Sequence, residues 1–74
     1  MDYKERIEAK PTVLLGKPVI KGTRISVHLI LEKLSNGASI FDLITAYPHL
    51  DEKDILAALA YASAALSKEE VIAV

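Results

Sequence analysis

The 74-residue sequence contains no cysteine. A disulfide framework and a cysteine-ligated zinc site, two common staples of a small domain, are therefore excluded. No apolar run approaches the ~18 residues that a membrane-spanning helix needs, so no membrane partner is expected. The opening MDYKERIEAK is polar and charged and does not read as a signal peptide. Length excludes the large enzyme scaffolds, since a TIM barrel needs about 250 residues. There is no internal repeat and no low-complexity linker. The expectation is a single small domain over residues 1–74, soluble and cytoplasmic. A core this small is marginal, and association with a partner or a second copy would help it.

What is present is enough for collapse: 51% of the residues are hydrophobic and 26% charged. The overall charge of −1 conceals an asymmetry. Residues 1–26 carry Lys4, Arg6, Lys10, Lys17, Lys21 and Arg24 against Asp2, Glu5 and Glu8, a net +3. Residues 27–74 carry three lysines against seven acids, a net −4. A basic half suited to an anion, or an acidic half suited to a basic partner, is one reading; two ordinary solvated surfaces is the other.

The chain divides near residue 26. Before it lie two of the three prolines and two of the three glycines, and the segment reads as short extended pieces. Val13-Leu14-Leu15 and Pro18-Val19-Ile20 predict a small hairpin, with Gly16-Lys17 suited to a type II′ turn. Lys21-Gly22-Thr23 predicts a second turn in which Gly22 takes positive φ. After residue 26 the apolar residues fall at helical spacing with clear punctuation. Ser26 is a candidate N-cap, and Asn36-Gly37 ends the first helix. Ser39 opens the second, with Asp42 placed to help cap its first turn; Ile40, Leu43, Ile44 and Tyr47 share a face, and Pro48 stops it. Asp51 caps a third helix with Glu52 and Asp54 in its first turn, running through Leu66. Ser67-Lys68-Glu69-Glu70 is a capping-box pattern for a further short helix or tail over residues 67–74. The fold class is thus α+β, mainly α: a basic β-rich region over 1–26, then a three-helix core over 27–66 resembling a helix-turn-helix. From Ile55 to Leu66 only Ser63 and the Tyr61 hydroxyl are polar, and six alanines make this third helix narrow. Such a helix either forms the core centre or packs partly against another chain.

Chemistry-bearing patterns are sparse. His28 and His49 belong to no metal-ligand spacing, no nucleophile-elbow motif exists, and the Asp51/Asp54 pair is explained by capping. No catalytic, metal or cofactor site is expected. The pair of helices joined through Tyr47-Pro48-His49-Leu50 has the form of a DNA-reading unit. Its second helix, however, opens on Asp51-Glu52-Lys53-Asp54, which repels phosphates, and lacks Arg, Asn and Gln for base contacts. If DNA is bound, the better contacts are Lys17, Lys21 and Arg24, which flank the two N-terminal turns. Alternatively Arg24 is a structural ion-pair partner for an acid on a helix.

Gly16-Lys17-Pro18-Val19-Ile20-Lys21-Gly22-Thr23-Arg24-Ile25 is followed by Asn36-Gly37-Ala38-Ser39, by Ala46-Tyr47-Pro48-His49-Leu50, and by Ala57-Ala58-Leu59-Ala60-Tyr61-Ala62. These four blocks, in this order and spacing, closely resemble domain-of-unknown-function family 433, over about residues 5–65. The resemblance implies a short β region before a homeodomain-like three-helix core. It also implies an antitoxin of the VapB type, paired with a small PIN-like nuclease toxin and in some cases binding DNA to regulate itself. Such a nuclease holds divalent metal through carboxylates and contacts RNA through basic residues. Two modes of neutralisation follow. Arg24 or Lys21 reaches the nuclease carboxylates, or the acidic face of Glu52, Asp54, Glu69 and Glu70 covers the RNA groove. The leading expectation is an antitoxin-like homodimer that is not an enzyme. The alternatives are a stand-alone DNA-binding regulator and a protein-interaction adaptor without nucleic acid.

Overall fold

Three short polar signals set the helix boundaries. The Ser26 hydroxyl accepts the Leu29 N–H at 2.9 Å and opens α1 (Val27–Ser35), which ends at Asn36 before Gly37 at φ +98°. Ser39 and Asp42 form a reciprocal capping box that opens α2 (Ile40–Ala46). Asp51 and Asp54 do the same for α3 (Glu52–Ser67): Asp51 accepts the Asp54 N–H at 2.9 Å, and Asp54 accepts the Asp51 N–H at 3.1 Å. The computed structural model describes residues 2–67. The Lys68–Glu70 part of the expected last capping box lies outside them. Ser67 is the last residue of α3, and its hydroxyl donates to the Ala64 carbonyl at 2.7 Å.

The β region is an antiparallel pair of two-residue strands, β1 (Ile7–Glu8) and β2 (Val19–Ile20), in the register Ile7 to Ile20 and Glu8 to Val19. Val19 also bridges to Ser26, so β2 is held on both sides. This corrects the expected hairpin. β2 is a strand, but its partner is not Val13–Leu15. Leu14–Gly16 instead forms a single tight turn in which Leu14, Leu15 and Gly16 take φ of +46°, +57° and +84°. A left-handed backbone cannot continue a ladder. The exchange also buries the better residue: Ile7 enters the core, while Leu15 is 95% exposed.

The core lies where the strands meet all three helices. Ile7, Ile20, Val27, Ile30, Leu43, Leu50 and Ile55 are buried together with Ala57 and Ala58. Each large aliphatic residue so buried contributes roughly 1.5–3 kcal/mol. The predicted α2 face holds, with Leu43 buried and Ile40, Ile44 and Tyr47 packed against the cluster. The 3₁₀ turn Tyr3–Glu5 lays Tyr3 edge-to-face on Tyr61 of α3, with ring centroids 5.5 Å apart. Helix α3 contributes to the core centre, as one reading of it expected. Its alanine side packs inward, with Ala57 and Ala58 fully buried. Its opposite side leaves Leu56 and Leu59 41% exposed and Leu66 62% exposed.

Candidate functional site

The turn joining β2 to α1 is pinned on several sides. Ile20 donates its N–H to Ile25 at 2.9 Å, and Thr23 donates its N–H back to Ile20 at 2.9 Å. The Thr23 hydroxyl donates to the Ile20 carbonyl at 2.8 Å and accepts the Ile25 N–H at 3.0 Å. Gly22 takes φ +80°, as its place in the sequence predicts, and donates its N–H to the Glu8 carboxylate at 3.1 Å. Lys21 and Arg24 are thus held on a defined backbone with their side chains exposed. Neither has a carboxylate within 4.0 Å among the described residues. The structural ion-pair role foreseen as one reading of Arg24 is therefore not found there.

That role belongs to Arg6. Its Nη1 donates to Asp54 at 2.9 Å and to Asp51 at 3.1 Å, and its carbonyl accepts the Lys21 N–H at 2.8 Å. One residue therefore ties the amino-terminal segment to β2 and to the start of α3. The electrostatics agree. The Arg6 guanidinium is held even more firmly in its charged form, first by its hydrogen bond to Asp54. The Asp51 carboxyl is held below its ordinary value, first by the N–H it accepts from Asp54 and then by the charge of Arg6.

This arrangement divides the expected site residues. Asp54 was grouped with an acidic partner-binding face. It is only 9% exposed, and both its oxygens are already engaged, one by Arg6 and the other by the Asp51 N–H. Glu52 is exposed at the start of α3. Glu69 and Glu70 lie outside the described residues. Lys17 is exposed but separate from Lys21 and Arg24, at the rim of a groove between Pro18, Val27, Leu31 and Tyr61. Lys21 and Arg24 border two adjacent clefts that share Thr23 and His49 as a common wall. Sequence reasoning missed both Arg6 and His49. Two aspartates at one helix start signal the need for a cation, but the one that answers lies 45 residues away.

No group of three or more His, Asp or Glu able to hold a metal occurs among the described residues. None of their helices is long and apolar enough to cross a membrane. Asp51 caps α3 and Glu52 and Asp54 lie in its first turn, the wrong sign for entering a DNA groove.

The family model for DUF433, a protein of unknown function, matches residues 7–62. The chain belongs to the DUF433 family. The expected family assignment is thereby borne out. A crystal structure of a DUF433 member from Anabaena variabilis ATCC 29413 superposes with a TM-score of 0.80 at 30% identity, covering 85% of this chain and 62% of that one. The uncharacterized protein y4eO of Sinorhizobium fredii (strain NBRC 101917 / NGR234) is 34% identical over 61 residues, 82% of this chain and 28% of that protein. The chain thus spans less than two thirds of the length of either of these proteins. In this DUF433 domain the turn carrying Arg24 and the Arg6–Asp51–Asp54 clamp both fall inside or at the edge of the matched region.

Proposed function

We propose that this protein is an antitoxin-like binding module that neutralises a PIN-like nuclease by presenting Arg24, with Lys21 nearby, to the carboxylates of the nuclease metal site. The observation that carries this reading is the contrast in charge use. Arg24 and Lys21 stand exposed on a pinned turn with no internal acid, whereas Asp54, the centre of the alternative acidic face, is buried against Arg6. A guanidinium binds a carboxylate through two parallel N–H donors, and a rigid turn loses little freedom in placing it. The module acts in the cytoplasm beside the nuclease and its RNA, and works as a homodimer, for which the exposed Leu56 and Leu59 of α3 supply apolar contact area.

The test begins with affinity purification of the tagged protein from its host at moderate salt, followed by a nuclease assay on the captured partner. Arg24→Glu should abolish inhibition, while Glu52→Lys and the paired Glu69→Lys, Glu70→Lys change should leave it. The reverse pattern would move the contact to the acidic face, and inhibition indifferent to all of them would remove both modes. Recovery of specific DNA without protein, with affinity falling steeply as salt rises, would favour a stand-alone regulator using Lys17, Lys21 and Arg24.

A further inference from the structure

A groove of about 440 Å³ runs between the first turns of α1 and the last turns of α3. Val27 and Leu31 line it from α1, and Tyr61, Ala62 and Leu66 from α3. Its polar border is of one sign. Lys17, Ser26 and His28 stand there, and no carboxylate does. Glu32, next to Leu31 in the chain, does not line it. The Ser26 hydroxyl is already engaged by the Leu29 N–H. Lys17 is exposed and has no ion-pair partner among the described residues. His28 is exposed and offers a ring N–H donor in either protonation state. Leu56 and Leu59, the apolar residues offered to a second copy, lie outside the groove.

A segment of matching chemistry begins beside this groove. Leu66 lines it, Ser67 is the last described residue, and Lys68, Glu69, Glu70, Val71, Ile72, Ala73 and Val74 follow. We propose that residues 71–74 dock in the groove of their own chain, with Glu69 and Glu70 beside Lys17 and His28. Two carboxylates followed by four apolar residues match two donors beside an apolar floor, and with Lys68 counted the segment is still net −1. No acid of the groove opposes them. The length suffices. Ser26 to Leu31 on α1 covers about 7.5 Å, and seven extended residues reach about 23–25 Å. Three residues can therefore reverse the chain after α3 while four cover the groove. The tether selects this chain's own segment over that of a second copy, because a short linker gives a local concentration in the millimolar range. The proposal goes beyond the nuclease reading and does not depend on it. It turns Glu69 and Glu70 toward this chain's own cations, away from the acidic face of Glu52.

The experiment is NMR on the full ¹³C,¹⁵N-labelled chain, searching for proton contacts from the Ile72 methyls to Leu31 and to the Tyr61 ring. A second sample mixes labelled and unlabelled chains and detects contacts between copies alone. The expected result is contacts within one chain and none in the mixed sample. Ile72→Asp should release the segment and move the Leu31 and Ala62 amides, while the core amides of Leu43 and Ile55 stay in place and show that the fold is intact. Lys17→Glu should lower the ratio of docked to released chains about threefold, read as the Leu31 and Ala62 amides moving part of the way toward their positions in Ile72→Asp. Absence of the Ile72 contacts, contacts found between copies instead, or a Lys17→Glu spectrum with both amides unmoved would overturn the proposal. None of these readouts involves a nuclease, so the antitoxin reading stands or falls separately.

Discussion

Arg6 and Arg24 come from the same basic segment and flank the same small β region, yet they do opposite work. The Arg6 side chain is 32% exposed and lies within 3.1 Å of two aspartates. Arg24 is exposed and meets none among the described residues. Nothing in their immediate neighbours distinguishes them, since each precedes an isoleucine in a polar setting. The difference is reach: Arg6, which precedes β1, meets Asp51 and Asp54 at the start of α3, whereas Arg24, on the turn that follows β2, meets no carboxylate among the described residues.

The sharpest way to break this comparison is Asp54→Ala. It removes a helix cap and leaves Arg6 without its nearest acceptor, so the expected loss is about 2 kcal/mol in urea unfolding. A loss within experimental error would mean that the clamp does not hold the two regions together. Next is Gly22→Ala. A Cβ there would point into open space, so only the backbone resists, at φ +80°. The expected cost is about 1 kcal/mol, read as a lowered melting temperature; unchanged stability would show a turn able to relax around Arg24.

A smaller effect is expected on acidification. The Asp51 carboxyl titrates below its ordinary value in the folded chain, so the unfolded chain takes up the proton first. The stability it contributes is present above the ordinary carboxylate range and disappears as pH falls through the lowered value. Asp51→Asn should therefore flatten the decline in stability between about pH 5 and pH 2. An identical decline in both proteins would assign it to other groups. Arg24→Ala completes the series, with a change within about 0.5 kcal/mol. A loss matching that of Asp54→Ala would give Arg24 a structural duty and end the contrast.

The helical half was legible residue by residue. Ser26, Asn36-Gly37, Ser39 with Asp42, Pro48 and Asp51 each act within one helical turn, so their meaning is carried by near neighbours. The strands were harder. A two-residue strand is too short to display alternation, and the apolar run Val13–Leu15 looked more like a strand than Ile7 between Arg6 and Glu8. The turn at Gly22 was readable because positive φ there needs glycine. The site was legible in part: Lys21 and Arg24 were named, but Arg6, His49 and the withdrawal of Asp54 from the surface were not.

By itself, then, the sequence determined where the helices begin and end, which face of α2 turns inward, and that Gly22 makes a turn beside two cations. These are consequences of local hydrogen bonding and of a 3.6-residue period. Only the tertiary structure decided that β2 pairs with Ile7–Glu8, that Arg6 takes both aspartates, and that His49 joins Arg24 at a common cleft. Those outcomes depend on contacts between residues as far as 48 apart in the chain, whose geometry exists only once the core has closed and fixed which charges face each other.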